Sequence, residues 1–125
     1  MCAGDFLQAY GQVSDCFDCV ATVFFLDTAP NPLTYIRTIH RILKPGGLWI
    51  NHGPLTYHFE ANEDEDSLHL PFDELVRIVQ LIGFRLDRML KADKSGELKP
   101  SLYTCNRDSM LQYHYHCGFF KCTKL

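Results

Sequence analysis

Two polar side chains follow apolar runs at the points where a parallel sheet would hold a ligand. Asp27 comes directly after FDCVATVFFL, and His58 lies in the loop that leaves the short apolar run LWIN. In open parallel sheets, ligands bind beyond the carboxyl ends of the strands. A carboxylate there can accept a hydrogen bond from a ligand N–H group, and an imidazole can donate, accept or carry a proton. The sequence therefore predicts a ligand crevice that Asp27 and His58 share.

Both residues also have plainer explanations. A loop aspartate shortly before a helix is a common N-cap, and a helix begins near Pro30. A lone histidine between Tyr57 and Phe59 is ordinarily a packed neighbour of those rings. Residue type and position leave these alternatives open.

Three tyrosines near the end of the chain form a second group of candidates, namely Tyr103, Tyr113 and Tyr115. Hydroxyl-bearing rings suit a small ligand with a flat centre and polar ends. Strand alternation would place Tyr113 and Tyr115 on one face, and His114 and His116 on the other face, where they have no assigned role. Plain packing on the sheet explains any single tyrosine as well.

A strand, a helix and a second strand must position the first two candidates. Phe17 to Leu26 is almost continuously apolar, which predicts a central parallel strand that is buried on both faces. A segment opened by two prolines then repeats apolar residues at helical spacing. Those residues are Leu33, Ile36, Ile39 and Leu43. Lys44-Pro45-Gly46-Gly47 ends this helix, and Leu48 to Asn51 begins the second parallel strand.

The remaining elements complete a three-layer α/β arrangement with helices on the faces of the sheet. A second helix is predicted with Pro71 near its start and Gly83 as its end. Its apolar face consists of Leu75, Ile78, Val79 and Ile82. A strand should begin at Phe84, and the run from Tyr113 to Thr123 should pair antiparallel with it. The predicted sheet is mostly parallel, with an antiparallel final strand at its edge.

Composition narrows the class of protein. The chain has 125 residues, which fits one domain, and 46% hydrophobic residues, which suffice for a core. Its net charge is -3 and its basic residues are scattered, which argues against nucleic-acid binding. No apolar run approaches the ~20 residues of a membrane span, and the N-terminus does not resemble a signal peptide. We therefore expect free thiols for the six cysteines, in a reducing compartment.

Metal binding is not indicated by the sequence. The acidic run from Glu60 to Asp66 is more typical of a solvated loop than of a metal site, since its carboxylates are not preorganised. Cys16 and Cys19 form a CxxC pair, but the chain has no second pair of this kind. We expect no bound metal.

Four segments resemble a known family when they are taken together and in order. LKPGGLWI resembles the signature before the fifth strand of class I S-adenosylmethionine-dependent methyltransferases. The segments are MCAGDF, FDCVATVFFLDTA, ILKPGGLWINHGPLTYHF and YTCNRDSMLQYHYHC. In this order and spacing they resemble the carnosine N-methyltransferase family, over nearly the whole chain. The resemblance implies the C-terminal half of a Rossmann-like class I methyltransferase fold.

The resemblance also implies a reaction. Carnosine is β-alanyl-histidine, and the family transfers a methyl group from S-adenosylmethionine to the imidazole nitrogen nearer the side-chain attachment, which gives anserine. Because the sulfonium donor is already activated, the enzyme must hold a neutral imidazole in line with the methyl carbon and absorb the proton released from the other nitrogen. The implied location is the cytoplasm and nucleus, and the full-length form could be a homodimer.

Site roles follow from the same resemblance. Asp27 is implied to be catalytic and substrate-binding, because it would accept the hydrogen bond of the far imidazole N–H and stabilise the positive charge that develops. The other implied substrate contacts are His58, Tyr103, Tyr113 and Tyr115. Asp5 and Phe6 match an acidic and aromatic pair that contacts the adenine, and Cys19 matches a nearby cofactor position.

One departure from the family limits these expectations. The chain contains no GxGxG-like loop, and the strands that should precede Met1 are absent. We therefore expect the C-terminal part of a methyltransferase domain, without the cofactor-binding half. Two alternatives remain: the short chain is a non-catalytic interaction module, or its full-length form methylates another histidine-containing peptide.

The first prediction concerns the 125-residue chain by itself. We expect that it neither binds S-adenosylmethionine tightly nor turns over carnosine, because the glycine loop that meets the methionine and ribose ends of the cofactor is missing. Titration calorimetry with the cofactor and a methylation assay on the purified chain measure both properties. Robust turnover by the chain alone would contradict this expectation.

Overall fold

A four-stranded sheet with two long helices forms most of the protein. The computed structural model describes residues 1, 3–56, 68–92, 96–102 and 106–125. The main sheet contains β1 (Phe17–Val23), β2 (Leu43–Gly53), β3 (Phe84–Lys91) and β6 (Gly118–Lys124), in the spatial order β1-β2-β6-β3. The helices are α1 (Phe6–Ala9), α2 (Pro32–Ile42) and α3 (Phe72–Ile82). A separate short hairpin pairs β4 (Ser101–Leu102) with β5 (His114–Tyr115).

Strands β1 and β2 run parallel with α2 between them, as the sequence predicts. The predicted bounds were wrong, since α2 ends at Ile42 and β2 begins at Leu43, so the segment from Lys44 to Gly47 belongs to the strand. Ala21 lies opposite Ile50, and this register continues through Val23 and His52. Helix α2 begins where the side chain of Asn31 accepts a hydrogen bond from the Leu33 N–H at 3.0 Å. Both strands therefore end at the same edge of the sheet, where parallel strands hold ligands.

Helix α3 also agrees with its prediction. It follows Pro71 and ends at Gly83, whose φ of 128° lies in the region that favours glycine. Leu75 and Val79 are fully buried on the side that faces the sheet. The α/β class is confirmed, and three of the four strands of the main sheet point in one direction while β6 opposes them.

The core lies between one face of the sheet and the two long helices. The Trp49 ring contacts the Phe84 and Phe120 rings at centroid distances of 5.4 and 4.9 Å, and all three side chains are buried. Ile36 and Ile39 from α2 cover them together with α3 residues. Each fully buried side chain of this kind contributes roughly 1.5–3 kcal/mol. This core fixes α2 and α3 on the same face of the sheet.

A chain of buried hydrogen bonds joins β1 to β2 inside this core. The indole N–H of Trp49 donates to Thr22 Oγ1 at 2.9 Å, and the Thr22 hydroxyl donates to Asn51 Oδ1 at 2.8 Å. Thr22 and Asn51 are 6% and 5% exposed, so water replaces these bonds poorly. The three side chains satisfy one another across the parallel strand pair.

Strand β1 differs from its prediction. It ends at Val23 rather than Leu26, and it lies at the edge of the described sheet instead of its centre. Cys19, Ala21 and Val23 are exposed, so the strand is not buried on both faces. The apolar composition was a correct indication of a strand, but composition alone does not show which neighbours cover it.

Three other expectations need correction. The run from Tyr113 to Thr123 is not one strand, since β5 and β6 are separated at Cys117. Strand β6 pairs with β2 on one side and β3 on the other, so the antiparallel strand is interior and β3 forms the edge. Among the described residues, α2 and α3 cover only one sheet face, which gives two layers rather than three.

The cysteines and the helices bear on two expectations from the sequence. Of the cysteines within the described ranges, Cys16, Cys19, Cys117 and Cys122 are all free, in agreement with the expected thiols. Burial raises the pKa of the Cys122 thiol to about 12 and that of Cys117 in the same direction. Over the described ranges, the helices are too short and too polar to cross a bilayer.

His40 is a partly buried titratable group on α2. Its ring meets the Phe84 ring edge-on at 5.1 Å, and its Nε2 atom has no hydrogen-bond partner within the described part of the chain. Burial lowers the pKa of His40 below 6.5, and the Lys124 ammonium lowers it further. The Gly83 backbone and the Asp15 carboxylate oppose this shift more weakly. The folded state therefore favours the neutral imidazole.

Replacing Thr22 by valine should destabilise the fold. The substitution keeps the shape of the side chain but leaves the Trp49 N–H and the Asn51 carbonyl without their buried partner. A loss of about 1–3 kcal/mol in the free energy of unfolding is expected. Chemical denaturation measures it, and a change below about 0.5 kcal/mol would mean that the three-residue chain is not stabilising.

Acidification should also destabilise the fold through His40. Since the folded pKa is lowered, the unfolded chain binds the proton more readily, and stability is lost as pH falls from about 6.5 through the folded pKa. Above that window the group makes no pH-dependent contribution. The melting temperature of His40→Gln should fall less steeply between pH 7 and pH 5 than that of the unmodified chain. The control His114→Gln removes an exposed histidine, and an equal flattening there would contradict the assignment.

Candidate functional site

Asp27 lies in a short 3-10 turn, Leu26–Thr28, directly beyond the end of β1. Its side chain is buried, with 3% of its surface exposed. The Oδ2 atom accepts two hydrogen bonds from Thr56, one from the backbone N–H at 3.1 Å and one from the hydroxyl at 2.6 Å. Among the described residues no hydrogen bond reaches Oδ1. A buried carboxylate is thus held through one of its two oxygens by the described residues.

The structure excludes the helix-cap explanation of Asp27. The side chain that caps α2 is Asn31, whereas Asp27 bonds to a segment that follows β2. The helix-cap alternative is therefore wrong. The bond between Asp27 and Thr56 joins the carboxyl ends of two neighbouring parallel strands, which is the position predicted for a ligand crevice.

Phe24 is a second residue of this region, and no pattern in the sequence indicated that it would belong to the site. Its φ of 50° is unusual for a residue other than glycine, and such strain is frequent at functional sites. The Phe24 N–H donates to the His52 carbonyl at 2.9 Å, which extends the pairing of β1 with β2. The ring contacts Tyr115 edge-on at 5.5 Å and lies 6.1 Å from the His52 ring. Phe24 therefore connects the turn of Asp27 with the hairpin that carries Tyr115.

Gly53 allows this close approach. A Cβ atom at position 53 would lie 2.9 Å from the backbone nitrogen of Phe24, which is closer than side chains tolerate. The absence of a side chain lets the end of β2 pack directly against Phe24. The reason that position 53 requires a glycine becomes clear only from the fold, because Phe24 is distant from it in the sequence.

The tyrosine candidates are placed differently from one another. Tyr115 is half-buried in β5, opposite Ser101, and reaches Phe24. Tyr113 precedes β5 and is 54% exposed. Tyr103 and His58 lie outside the described residues. The structure therefore brings Tyr115 close to the turn that carries Asp27, and it does not show Tyr113 in that contact.

A cavity of about 430 Å³ opens at the end of β2 and the start of β6. Its walls include Leu55, adjacent to Thr56, together with Phe72, His69 and His116. The Nδ1 atom of His116 lies 3.4 Å from the Ala92 carbonyl oxygen. Beyond His116, a smaller cavity of about 230 Å³ contains Lys91, whose ammonium pairs with Asp73 at 2.5 Å. The walls combine aromatic surface with polar nitrogen atoms, as small-molecule sites do.

The three cofactor candidates are only partly brought together. Phe6 and Cys19 line one groove of about 400 Å³ along the outer edge of β1. Phe6 packs edge-on against Phe25 and Tyr35 at 5.1 and 5.0 Å. Asp5 caps α1, since its Oδ2 accepts the Gln8 N–H at 3.1 Å. An aromatic wall beside an exposed carboxylate fits the adenine part of a nucleoside.

No metal site is found in the parts of the chain that the structure describes, where no three His, Cys, Asp or Glu side chains converge. The CxxC residues Cys16 and Cys19 are exposed thiols. The polar groups of the site therefore consist of a carboxylate, hydroxyls and imidazoles. Such groups can bind and orient a heterocycle and accept its proton.

Comparison with known proteins adds to this geometry. The family model described as Carnosine N-methyltransferase matches residues 1–125. Carnosine N-methyltransferases from Rattus norvegicus and Dictyostelium discoideum are 47% and 41% identical to the chain over 120 residues, which is 96% of it. The matched region is 28% and 24% of those two proteins, so the chain spans about a quarter of the length of such relatives.

Solved structures show the same fold. An S-adenosylmethionine-dependent methyltransferase from Methanosarcina mazei superposes with a TM-score of 0.62, over 90% of this chain and 61% of that one, at 17% identity. The trans-methyltransferase CalH, in complex with S-adenosylhomocysteine, superposes with a TM-score of 0.58, over 94% of this chain and 33% of that one, at 14% identity. At these identities the likeness establishes the fold, which is that of class I methyltransferases. The family model and the relatives together show that the chain belongs to the carnosine N-methyltransferase family.

Proposed function

We propose that this chain supplies the substrate-binding part of an enzyme that methylates the imidazole of carnosine with S-adenosylmethionine to give anserine. The observation that carries the proposal is the buried carboxylate of Asp27, which Thr56 holds by Oδ2 only. A single oriented acceptor at the carboxyl end of β1 suits a flat ligand with one N–H group. Carnosine presents such a group on its neutral imidazole.

Asp27 would set the reactive tautomer. Oδ1 accepts the N–H of one ring nitrogen, so the other nitrogen carries the lone pair and can attack. The methyl donor supplies an electrophilic carbon bound to a sulfonium. As the new N–C bond forms and the S–C bond breaks, positive charge develops on the ring, and the nearby carboxylate stabilises it. The N–H proton then leaves by way of Asp27, which restores a neutral product.

An aromatic wall beside the turn would pack against one side of the imidazole. Phe24 and Tyr115 meet at 5.5 Å beside the turn that carries Asp27. The cavity of about 430 Å³ at the end of β2, whose wall includes Leu55 next to Thr56, is large enough for the rest of a dipeptide. We assign His58, Tyr103, Tyr113 and Tyr115 to substrate contacts, and Asp5, Phe6 and Cys19 to the adenine end of the cofactor. When bound, S-adenosylmethionine would supply the methyl group.

A second candidate function applies to the chain alone. The outer edge of β1 is an apolar groove with Phe6, Tyr10 and Phe17 in its walls, and β1 has no strand partner there in the described sheet. Exposed strand edges of this kind pair readily with other chains. The groove therefore favours an interaction module, and sedimentation of the purified 125-residue chain tests it. A sharp monomer at all concentrations would contradict this second candidate.

We also propose a cytoplasmic and nuclear location, a reducing environment in which free thiols persist. The free Cys16 and Cys19, both exposed, support this part of the proposal. Fluorescence imaging of the tagged full-length protein checks it. Homodimerisation of the full-length form stays a prediction, which measurement of its molecular mass in solution tests. Activity on other histidine-containing peptides also stays a prediction, and assays with a panel of such peptides test it.

The role of Asp27 is tested by Asp27→Asn in a full-length protein that contains this chain. Asparagine keeps the shape, but it cannot carry the negative charge that stabilises the cationic ring. We expect kcat/KM for carnosine to fall by roughly 10²–10⁴-fold, the range of acid–base catalysis. Affinity for S-adenosylmethionine, measured by calorimetry, should stay unchanged.

Asp87→Asn is the matched control for this experiment. Asp87 accepts a hydrogen bond from the Thr123 hydroxyl at 2.6 Å, so it makes a similar carboxylate–threonine contact on an exposed part of the sheet. This variant should retain the original activity. Retention of more than about half of the activity by Asp27→Asn would refute the catalytic role.

A further inference from the structure

We infer that Thr56 is a positioning residue for Asp27, and that its hydroxyl determines which imidazole nitrogen receives the methyl group. The inference rests on the proposed function. Its basis is that both polar hydrogens of Thr56 point to the same carboxylate oxygen, at 2.6 and 3.1 Å. Thr56 has no assigned role in the motifs that carry the family resemblance.

The two hydrogen bonds make the oxygens of Asp27 inequivalent. Oδ2 is occupied by two donors, whereas no donor from the described residues reaches Oδ1. The carboxyl torsion of an aspartate is otherwise broad, because it joins a tetrahedral carbon to a planar one. The Thr56 hydroxyl therefore restricts this rotation, and in the proposed complex Oδ1 is the oxygen that accepts the ligand N–H.

Neighbouring contacts fix Thr56 relative to Asp27. The Phe24 N–H donates to the His52 carbonyl at 2.9 Å, which ties the start of the Asp27 turn to the end of β2. On the other side, the Leu68 N–H donates to the Pro30 carbonyl at 2.8 Å. Because the turn is tied at both ends, the Thr56 hydroxyl has a fixed target. The contact bridges 29 positions of sequence, which makes it tertiary rather than local.

An orientation of this kind has a chemical consequence. The two imidazole nitrogens of carnosine lie at different distances from the peptide bond. The nitrogen whose N–H is donated to the carboxylate has no free lone pair, so it cannot attack the methyl group. If either oxygen of Asp27 could accept the N–H, the ring could enter in more than one orientation. Alignment with the methyl donor would then be lost in a fraction of the complexes. The hydroxyl should therefore affect both the rate and the position of methylation.

The test uses three variants of a full-length protein that contains the chain. Thr56→Val removes the hydroxyl and keeps the backbone N–H, and Thr56→Ser restores the hydroxyl. Thr123→Val is the matched control, since the Thr123 hydroxyl makes the same 2.6 Å contact with Asp87 away from the site. Steady-state assays give kcat and KM for carnosine, and NMR of the product identifies the methylated nitrogen. Calorimetry gives the affinities for carnosine and for S-adenosylmethionine.

We expect Thr56→Val to lower kcat by roughly tenfold to a hundredfold, as expected for a hydrogen bond to a charged group. The share of product methylated at the other nitrogen should rise. Thr56→Ser should stay within about twofold of the original enzyme, and Thr123→Val should match it. Affinity for S-adenosylmethionine should not change in any variant.

The other outcomes separate this inference from the proposed function. An unmodified protein that neither binds nor methylates carnosine would overturn both. Full activity of the unmodified protein, together with an unchanged rate and product in Thr56→Val, would overturn the role of Thr56 alone. A parallel loss of S-adenosylmethionine affinity in Thr56→Val would point to structural damage and would also overturn it.

Discussion

The parallel pairing of β1 with β2 is the constraint on which the site depends. Its register is locked inside the core, where the Thr22 hydroxyl bridges Trp49 and Asn51. A shift by one residue would turn these polar side chains towards the opposite face and leave their hydrogen bonds unmade. The same register determines where each strand ends, because β1 gives way to the Asp27 turn and β2 to the segment of Thr56. A buried polar contact in the core therefore places a carboxylate and its hydroxyl partner within reach of each other.

The helices stabilise this arrangement from one side. Helices α2 and α3 cover the face of the sheet that contains Trp49, Phe84 and Phe120. Close packing around aromatic rings tolerates little movement, so the strand ends stay in place. The ligand edge itself is made of turns, which can carry strained residues such as Phe24. Rigid elements thus support an irregular rim where chemistry can occur.

Much of the fold could be predicted from the sequence, because periodicity reports which side of an element is buried. The 3.6-residue spacing located α2 and α3, and Pro32, Pro71 and Gly83 marked three of their four ends. The end of α2 was misplaced, because Gly46 and Gly47 lie inside β2. Apolar composition predicted β1 as a strand but did not show that one of its faces is exposed, since composition does not identify the neighbours that cover a strand. The interruption at Cys117 was equally hidden, because the residues on both sides of it have similar β propensity.

The site shows the same division between local and long-range information. Position after an apolar run pointed to Asp27, yet its sequence context also suited a helix cap, and only the bond to Thr56 excluded the cap. Phe24, Gly53 and Thr56 gave no sequence signal because their importance depends on partners about 30 positions away. Sequence patterns can identify a residue whose role follows from its position in its own strand, helix or turn. They do not identify a residue whose role depends on a contact with a different strand or turn.

The two proposed ligand regions meet at the carboxyl end of β1. This meeting point limits how the methyl donor and the imidazole that accepts the methyl group can share the site. The groove that contains Phe6 and Cys19 extends along β1 to Val23 and Phe25, and Phe25 is two residues before Asp27. Cys19 lies four residues before Val23, roughly 13 Å along an extended strand, so it is remote from the reacting end. The proposed cofactor would thus keep its adenine end in the groove with Phe6 and Cys19, and direct its methyl group past Phe25 towards the imidazole that Asp27 is proposed to bind.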